Sequence, residues 1–154
     1  MVKKSLKFSL ILLLAIVLFA CSKEETPEEA ASRYIKAWNK QQFENMYEQL
    51  SSEAKDAIDK DAFIERHNNI YDGIRLSELE VKLNFPEDKM SDKGDEVDVE
   101  YEITMNTIAG ELHFTHVFKL VKEETEDEKR WAVAWNPSLI FPQLEDGDKV
   151  RVET

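Results

Sequence analysis

Apolar residues follow two different periods along this chain. From Thr26 to Gly73 they recur every three or four positions, and from Leu79 to Trp135 every second position. In the first region Ala31, Tyr34, Ile35 and Trp38 fall on one face of a 3.6-residue repeat, which predicts an amphipathic helix. Thr26-Pro27-Glu28-Glu29 supplies its start, with Thr26 as N-cap, Pro27 at the first helical position and Glu29 closing a capping box. Phe43, Met46, Tyr47 and Leu50 resume the pattern after a break near Gln41-Gln42. A short turn from Ser52 to Ile58 is expected to carry Ala54 and Ile58 inward. Phe63, Ile64, His67 and Tyr71 form the last helical face, with Gly73 as the expected C-cap.

The period then shortens to two. Leu79, Val81, Leu83 and Phe85 alternate with Glu80, Lys82 and Asn84 until Pro86 ends the run, and a polar loop follows from Asp88 to Asp95. Val97, Val99, Tyr101, Ile103 and Met105 alternate with Asp98, Glu100, Glu102, Thr104 and Asn106. A turn at Ile108-Ala109-Gly110 leads into Leu112, Phe114, His116, Phe118 and Leu120. After a charged turn from Glu123 to Lys129, the residues Trp131, Val133 and Trp135 make a final strand. Helices followed by a run of strands predict an α+β domain, its helices packed on one face of an antiparallel sheet.

An apolar run from Leu10 to Ala20 precedes both regions, behind the lysines Lys3, Lys4 and Lys7. Its 11 residues fall short of the roughly 20 that cross a bilayer as a helix. A basic start and a short apolar core predict a secretory signal peptide. The run ends in Leu18-Phe19-Ala20-Cys21, which resembles the lipobox of bacterial lipoproteins. That resemblance implies cleavage before Cys21 and a diacylglyceryl group on its sulfur. The alternative is an ordinary secretory signal that contains a cysteine. The expected organisation is a signal peptide over 1–20, a lipidated tether over 21–26, one domain over 27–148 and a tail over 149–154. A lipid on Cys21 would make the membrane the first partner, on the outer face of a Gram-positive-type cell. At about 3.5 Å per residue, the tether reaches under roughly 20 Å.

Composition narrows the function. The 154 residues allow one core, and 42% hydrophobic content suffices to build it. With Lys+Arg 20 against Asp+Glu 32 the net charge is −12, which argues against nucleic acid as a partner, because phosphates need clustered cations. Loss of the signal peptide removes three lysines and takes the charge to −15. A domain so acidic is repelled by anionic headgroups within about a Debye length, leaving the lipid as its main attachment. A single cysteine excludes an intramolecular disulfide, and four glycines leave little for a phosphate-cradling loop.

Few residues suggest chemistry. Ser52-Glu53-Ala54-Lys55 matches the S-x-x-K pattern of penicillin-binding enzymes, but the chain has no S-D-N-like or K-T-G-like partner. A helix start, with Ser51 or Ser52 as N-cap and Lys55 solvated, is the better reading. His113 and His116 stand three apart on a predicted strand, so they point to opposite faces, and His67 lies on another element. No metal site is expected. Asp98, Glu100 and Glu102 form a stripe with nearly 7 Å between neighbours, which predicts a solvated face balanced by Lys119 or Lys82. Asp92, Asp95 and Asp98 lack the calcium-loop pattern. Tyr101, Phe114, Phe118, Trp131 and Trp135 read first as core. Should the fold enclose a pocket, Tyr101, His116 and Trp135 are its candidate lining. No nucleophile–base pair or paired carboxylate shares that face, so no catalytic residue and no cofactor is expected.

Tyr101 to Asn106, the Ala109-Gly110 turn, Phe114 to Lys122, and the run from Trp131-Ala132-Val133-Ala134-Trp135-Asn136-Pro137 to Pro142 together resemble one family. It is the N-terminal non-catalytic domain of class B penicillin-binding proteins of the methicillin-resistance type, and the likeness covers roughly Pro27 to Asp148. The resemblance implies a cone similar to nuclear transport factor 2, also called cystatin-like, with helices on a curved antiparallel sheet. It also implies a cell-surface, cell-wall setting without penicillin acylation. Two departures stand out: Asn136 replaces the family's usual aspartate, and the chain stops at Thr154 where the family continues into dimerisation and transpeptidase regions. The expectation is a non-catalytic surface lipoprotein with an accessory role in cell-wall synthesis or the β-lactam response. Its expected partner is a penicillin-binding protein or another wall-synthesis protein. Two alternatives stay open: a small-molecule binder or enzyme of the same fold, and a truncated remnant of a larger penicillin-binding protein.

Overall fold

The computed structural model describes residues 24–84, 94–124, 128–145, 147–148 and 150. The predicted signal segment, Cys21, Phe85, Pro86, Asp92 and most of the predicted polar loop lie outside the described residues.

Helix α1 (Pro27–Asn39) opens with the predicted capping box. The Glu29 N–H donates to the Thr26 hydroxyl at 3.2 Å and the Thr26 N–H to the Glu29 carboxylate at 3.1 Å. Its inward stripe is the one the spacing predicts: Ala31, Tyr34, Ile35 and Trp38 are all buried. Three further helices follow, α2 (Phe43–Glu48), α3 (Ser52–Ala57) and α4 (Lys60–Gly73). Ser51 caps α3 by accepting the Ala54 N–H at 3.2 Å, and Asp59 caps α4 by accepting that of Ala62 at 2.8 Å.

Two local expectations need correcting. Leu50 does not extend the α2 face. It leaves the helix and forms a parallel bridge to Val133, with Ser51 N–H donating to Val133 O at 2.8 Å and Val133 N–H to Gln49 O at 2.9 Å. Nor is Gly73 the left-handed residue that ends α4. That position is Arg75 (φ 49°), whose N–H bonds Asp72 O at 3.1 Å while the Leu76 N–H bonds Tyr71 O at 2.9 Å. Helix α1 stops in the same way at Gln41 (φ 51°), with Gln41 N–H to Trp38 O at 2.8 Å and Gln42 N–H to Ala37 O at 2.9 Å. Both are Schellman motifs built without glycine.

The strands β1 (Glu78–Asn84), β2 (Glu96–Thr107), β3 (Gly110–Glu124) and β4 (Lys129–Ala134) form one open sheet in chain order. All neighbours are antiparallel, with Val81 opposite Ile103, Tyr101 opposite His116, and Leu120 opposite Val133. Gly110 (φ 104°) turns β2 into β3, a backbone conformation that side-chain-bearing residues rarely adopt. One sheet face carries the buried residues Val81, Val99, Tyr101, Ile103, Met105, Phe118 and Leu120; the other is exposed and acidic at Asp98 and Glu100. The helices pack on the apolar face. Tyr34 meets Phe118 with ring centroids 5.6 Å apart, Trp38 meets Tyr101 at 5.4 Å, and Phe63 meets Trp135 at 5.0 Å. Fully burying side chains of this size stabilises the fold by about 2–3 kcal/mol each. The α+β architecture is thus four helices against a four-stranded antiparallel sheet.

Candidate functional site

The structure brings Tyr101 and His116 together and places Trp135 elsewhere. Tyr101 and His116 face each other across β2 and β3, with ring centroids 6.0 Å apart. Tyr101 is 0% exposed, and its hydroxyl donates to Leu139 O at 2.7 Å. Burial raises its pKa, so the phenol stays protonated. His116 is half-buried, its Nε2 3.3 Å from the Ser138 hydroxyl. Trp135 follows β4 and stacks on Phe63 and, at 5.8 Å, on His67. A short 3-10 turn (Pro137–Leu139) ties Tyr101 and His116 to the chain beyond β4. Asn136 caps that turn, its side-chain oxygen accepting the Ser138 N–H at 3.0 Å. A cap needs only an acceptor oxygen, so asparagine serves where the family's aspartate would.

The remaining motif residues have local structural partners. Ser52 begins α3, and its N–H donates to the Glu123 carboxylate at 2.6 Å; the Lys55 ammonium bonds Glu48 O at 3.0 Å and lies 5.6 Å over the Tyr47 ring. Lys55 is therefore only half solvated. His113 is exposed, with Nδ1 3.0 Å from the Thr104 hydroxyl, and it points away from the face that holds His116. Glu100 and Glu102 share the uncharged Asn84 amide, at 3.0 Å each, in place of a lysine. The register sets Lys119 opposite Asp98 and Lys82 opposite Glu102, as expected of a balanced face, while their direct ion pairs are to Glu96 and Glu80. Among the described residues, no three His, Cys, Asp or Glu side chains converge as metal ligands.

Two clusters escaped the sequence reading. His67 is 0% exposed, stacked on Phe63 at 4.3 Å and Phe43 at 4.8 Å. Its Nδ1–H donates to Phe63 O at 2.8 Å, while Nε2 has no hydrogen-bond partner among the described residues. Burial lowers its pKa to about 4, against the opposing pull of the Phe63 carbonyl. Its place on the apolar face of α4 was legible; the aromatic cage around it is made by residues far apart in the chain. The second cluster is Arg130 with Glu123. The guanidinium donates to Glu48 O and Leu50 O at 3.1 Å each and to the Glu123 carboxylate at 2.8 Å. Burial works to raise the Glu123 pKa, but the Ser52 N–H and Arg130 outweigh it and hold the carboxyl below its ordinary range. Both residues stand in or beside the predicted charged turn, and nothing in the sequence distinguishes them from its other charges.

A cleft of about 540 Å³ lies between α4 and the C-terminal segment, with Ile58, Ala62, Arg66 and Val150 among its lining. A shallower one of about 350 Å³ runs between α1 and β1, past Ile35, Lys36, Lys40 and Leu83. Neither includes Tyr101, His116 or Trp135. Among the described residues no helix is long and apolar enough to cross a membrane.

Residues 26–148 match the model of the NTF2-like N-terminal transpeptidase domain. Over 152 residues the chain is 34% identical to penicillin-binding protein 3 of Bacillus subtilis, a match that covers 99% of this chain and 23% of that protein. The chain therefore spans about a quarter of the length of this curated relative. Among solved structures, a SEC-C motif containing protein from Psychrobacter arcticus superposes with a TM-score of 0.53 at 16% identity, over 79% of this chain and 65% of that one. That likeness concerns the fold alone. The match over residues 26–148, on helices packed against an open antiparallel sheet, shows that this chain belongs to the NTF2-like N-terminal transpeptidase domain family.

Proposed function

We propose that this chain is a non-catalytic module, held by a lipid on Cys21 at the outer face of the cell membrane. There it would serve cell-wall synthesis, or the response to β-lactams, by contacting a penicillin-binding protein or another wall-synthesis protein. The observation that carries this reading is the match over residues 26–148 to a domain that takes its name from its N-terminal place in transpeptidases. The similarity to B. subtilis penicillin-binding protein 3 supports the cell-wall setting. Ser52 supports the non-catalytic part, because its neighbours are structural: Lys55 is engaged with Glu48 O, and the Ser52 N–H with Glu123. The lipid rests on the Leu18-Phe19-Ala20-Cys21 motif.

Three measurements test the proposal in intact cells. A fatty-acid analogue should label the protein and fail to label Cys21→Ala. A fluorescent penicillin should leave it unlabelled, and a covalent adduct on Ser52 would overturn the non-enzyme reading. Crosslinking should recover a wall-synthesis enzyme, whereas recovery of abundant membrane proteins alone would count against the partner class.

A further inference from the structure

Each outer edge of the sheet is blocked at one residue, and one internal edge is not blocked. At β1, Asn39 donates its amide to Val81 O at 2.8 Å and accepts the Val81 N–H at 2.7 Å, occupying the outward backbone groups at the strand's centre. Glu78, Glu80 and Lys82 add charge to that edge. At β4, the Leu50 bridge takes both outward groups of Val133. Strand β3 has 15 residues, but β4 pairs only with Lys119 to Glu124. From Glu111 to Val117 its far side has no strand beside it among the described residues.

The register fixes which backbone groups face that gap. Val133 points its N–H and C=O away from β3, so Leu120 opposite it points its own toward β2. Alternation then turns those of His113, Thr115 and Val117 outward. No hydrogen bond to these groups is present among the described residues, and all three residues are exposed, Val117 by 43%. The window Leu112-His113-Phe114-Thr115-His116-Val117-Phe118 contains no Asp, Glu, Lys, Arg, Pro or Gly, in a chain that is 34% charged. A long, uncharged edge rich in β-formers is what proteins ordinarily blunt unless another strand is to pair with it.

We propose that the β3 edge from Glu111 to Val117 accepts an extended segment of a partner protein as an added strand. The two faces beside the edge specify that segment. On the helix-packed face stand the half-buried Leu112 and Phe114, the latter against Phe141 at 5.9 Å, which suit apolar side chains at alternate positions. On the other face Glu111, Glu102 beside Thr115, and Glu100 beside Val117 suit basic side chains between them. Among the described residues, the uncharged Asn84 amide bonds both Glu100 and Glu102, neither carboxylate has a direct ion pair, and Lys82 opposite Glu102 pairs with Glu80. A second copy is the poorer occupant, because antiparallel pairing of two β3 edges would bring the same carboxylates together on chains of net charge −12. The inference rests on the backbone of β3 and holds whichever membrane setting or partner proves correct.

The probe is a synthetic nonapeptide of alternating lysine and valine, added to the full chain in neutral detergent micelles. At saturation it should slow hydrogen exchange at the His113, Thr115 and Val117 amides by at least roughly ten-fold. A fully N-methylated twin, equal in charge but lacking backbone donors and barred by its methyl groups from close strand pairing, should leave them unchanged. Thr115→Pro removes an outward N–H that no bond within the sheet uses, so it should keep the circular dichroism spectrum and weaken peptide binding by about ten-fold or more. Equal effects from the N-methylated twin would reduce the contact to charge and overturn the proposal. So would protection confined to other amides. Slow exchange at these three amides without peptide would also overturn it, by showing that a second copy or the chain itself already covers the edge.

Discussion

His67 would titrate near pH 6.5 in an unfolded chain, and burial among Phe43, Phe63 and Trp135 lowers that to about 4. Between those values the unfolded chain binds a proton that the folded one refuses, so stability must fall as the pH drops through that window. The charged groups that bear on it are few: Arg66, its neighbour on α4, opposes protonation, while the elements stacked on it present Phe43, Tyr71 and Trp135. From pH 7 to pH 5 the loss should be about 2 kcal/mol in urea titrations. His67→Phe should lose most of that dependence, since the replacement fills the same cage and carries no proton. An equal slope in the variant would assign it to other groups. The sequence placed His67 on the apolar face of α4, yet its charge state depends on rings supplied by α2 and by the residue after β4.

At the scale of elements, sequence and structure agree where one local rule dominates. The Thr26 capping box and the Ser51 cap depend on residues three apart, and both formed as the sequence predicts. Helix ends were less legible, because a Schellman motif requires a left-handed residue but does not require glycine. Gln41 and Arg75 adopt that conformation at a cost of about 1 kcal/mol each. Gln41→Gly should therefore raise stability by about 0.5–1 kcal/mol in chemical denaturation. A loss of stability would mean that the Gln41 side chain contributes more than its backbone costs. The segment after α2 also misled, since Leu50 keeps helical spacing but follows Val133 into the sheet.

Over the whole molecule, Arg130 joins the two layers. Its guanidinium reaches Glu48 O and Leu50 O on the helical side and Glu123 on the sheet, and Glu123 in turn accepts the Ser52 N–H. Arg130→Ala should destabilise the fold by about 2 kcal/mol, because it strands partly buried carbonyls and a carboxylate together. Arg130→Lys should recover only part of the loss, since an ammonium cannot fork to three acceptors in fixed directions. Thermal melts of the two variants would show it, and full recovery by lysine would reduce the junction to simple charge pairing.

The sequence alone determined the periods, and with them the helical region, the four strands, their inward faces and the α+β class. Each of these depends on residues within a few positions of one another. It also held the tryptophan-rich run that marks the family. Tertiary structure decided where the strands stop pairing, because β3 is nine residues longer than β4 and only the register shows which end is left uncovered. It decided, too, that Tyr101 and His116 meet while Trp135 packs with His67. Such contacts join residues on different elements, and the pattern of hydrophobicity along the chain carries no information about distances of that kind.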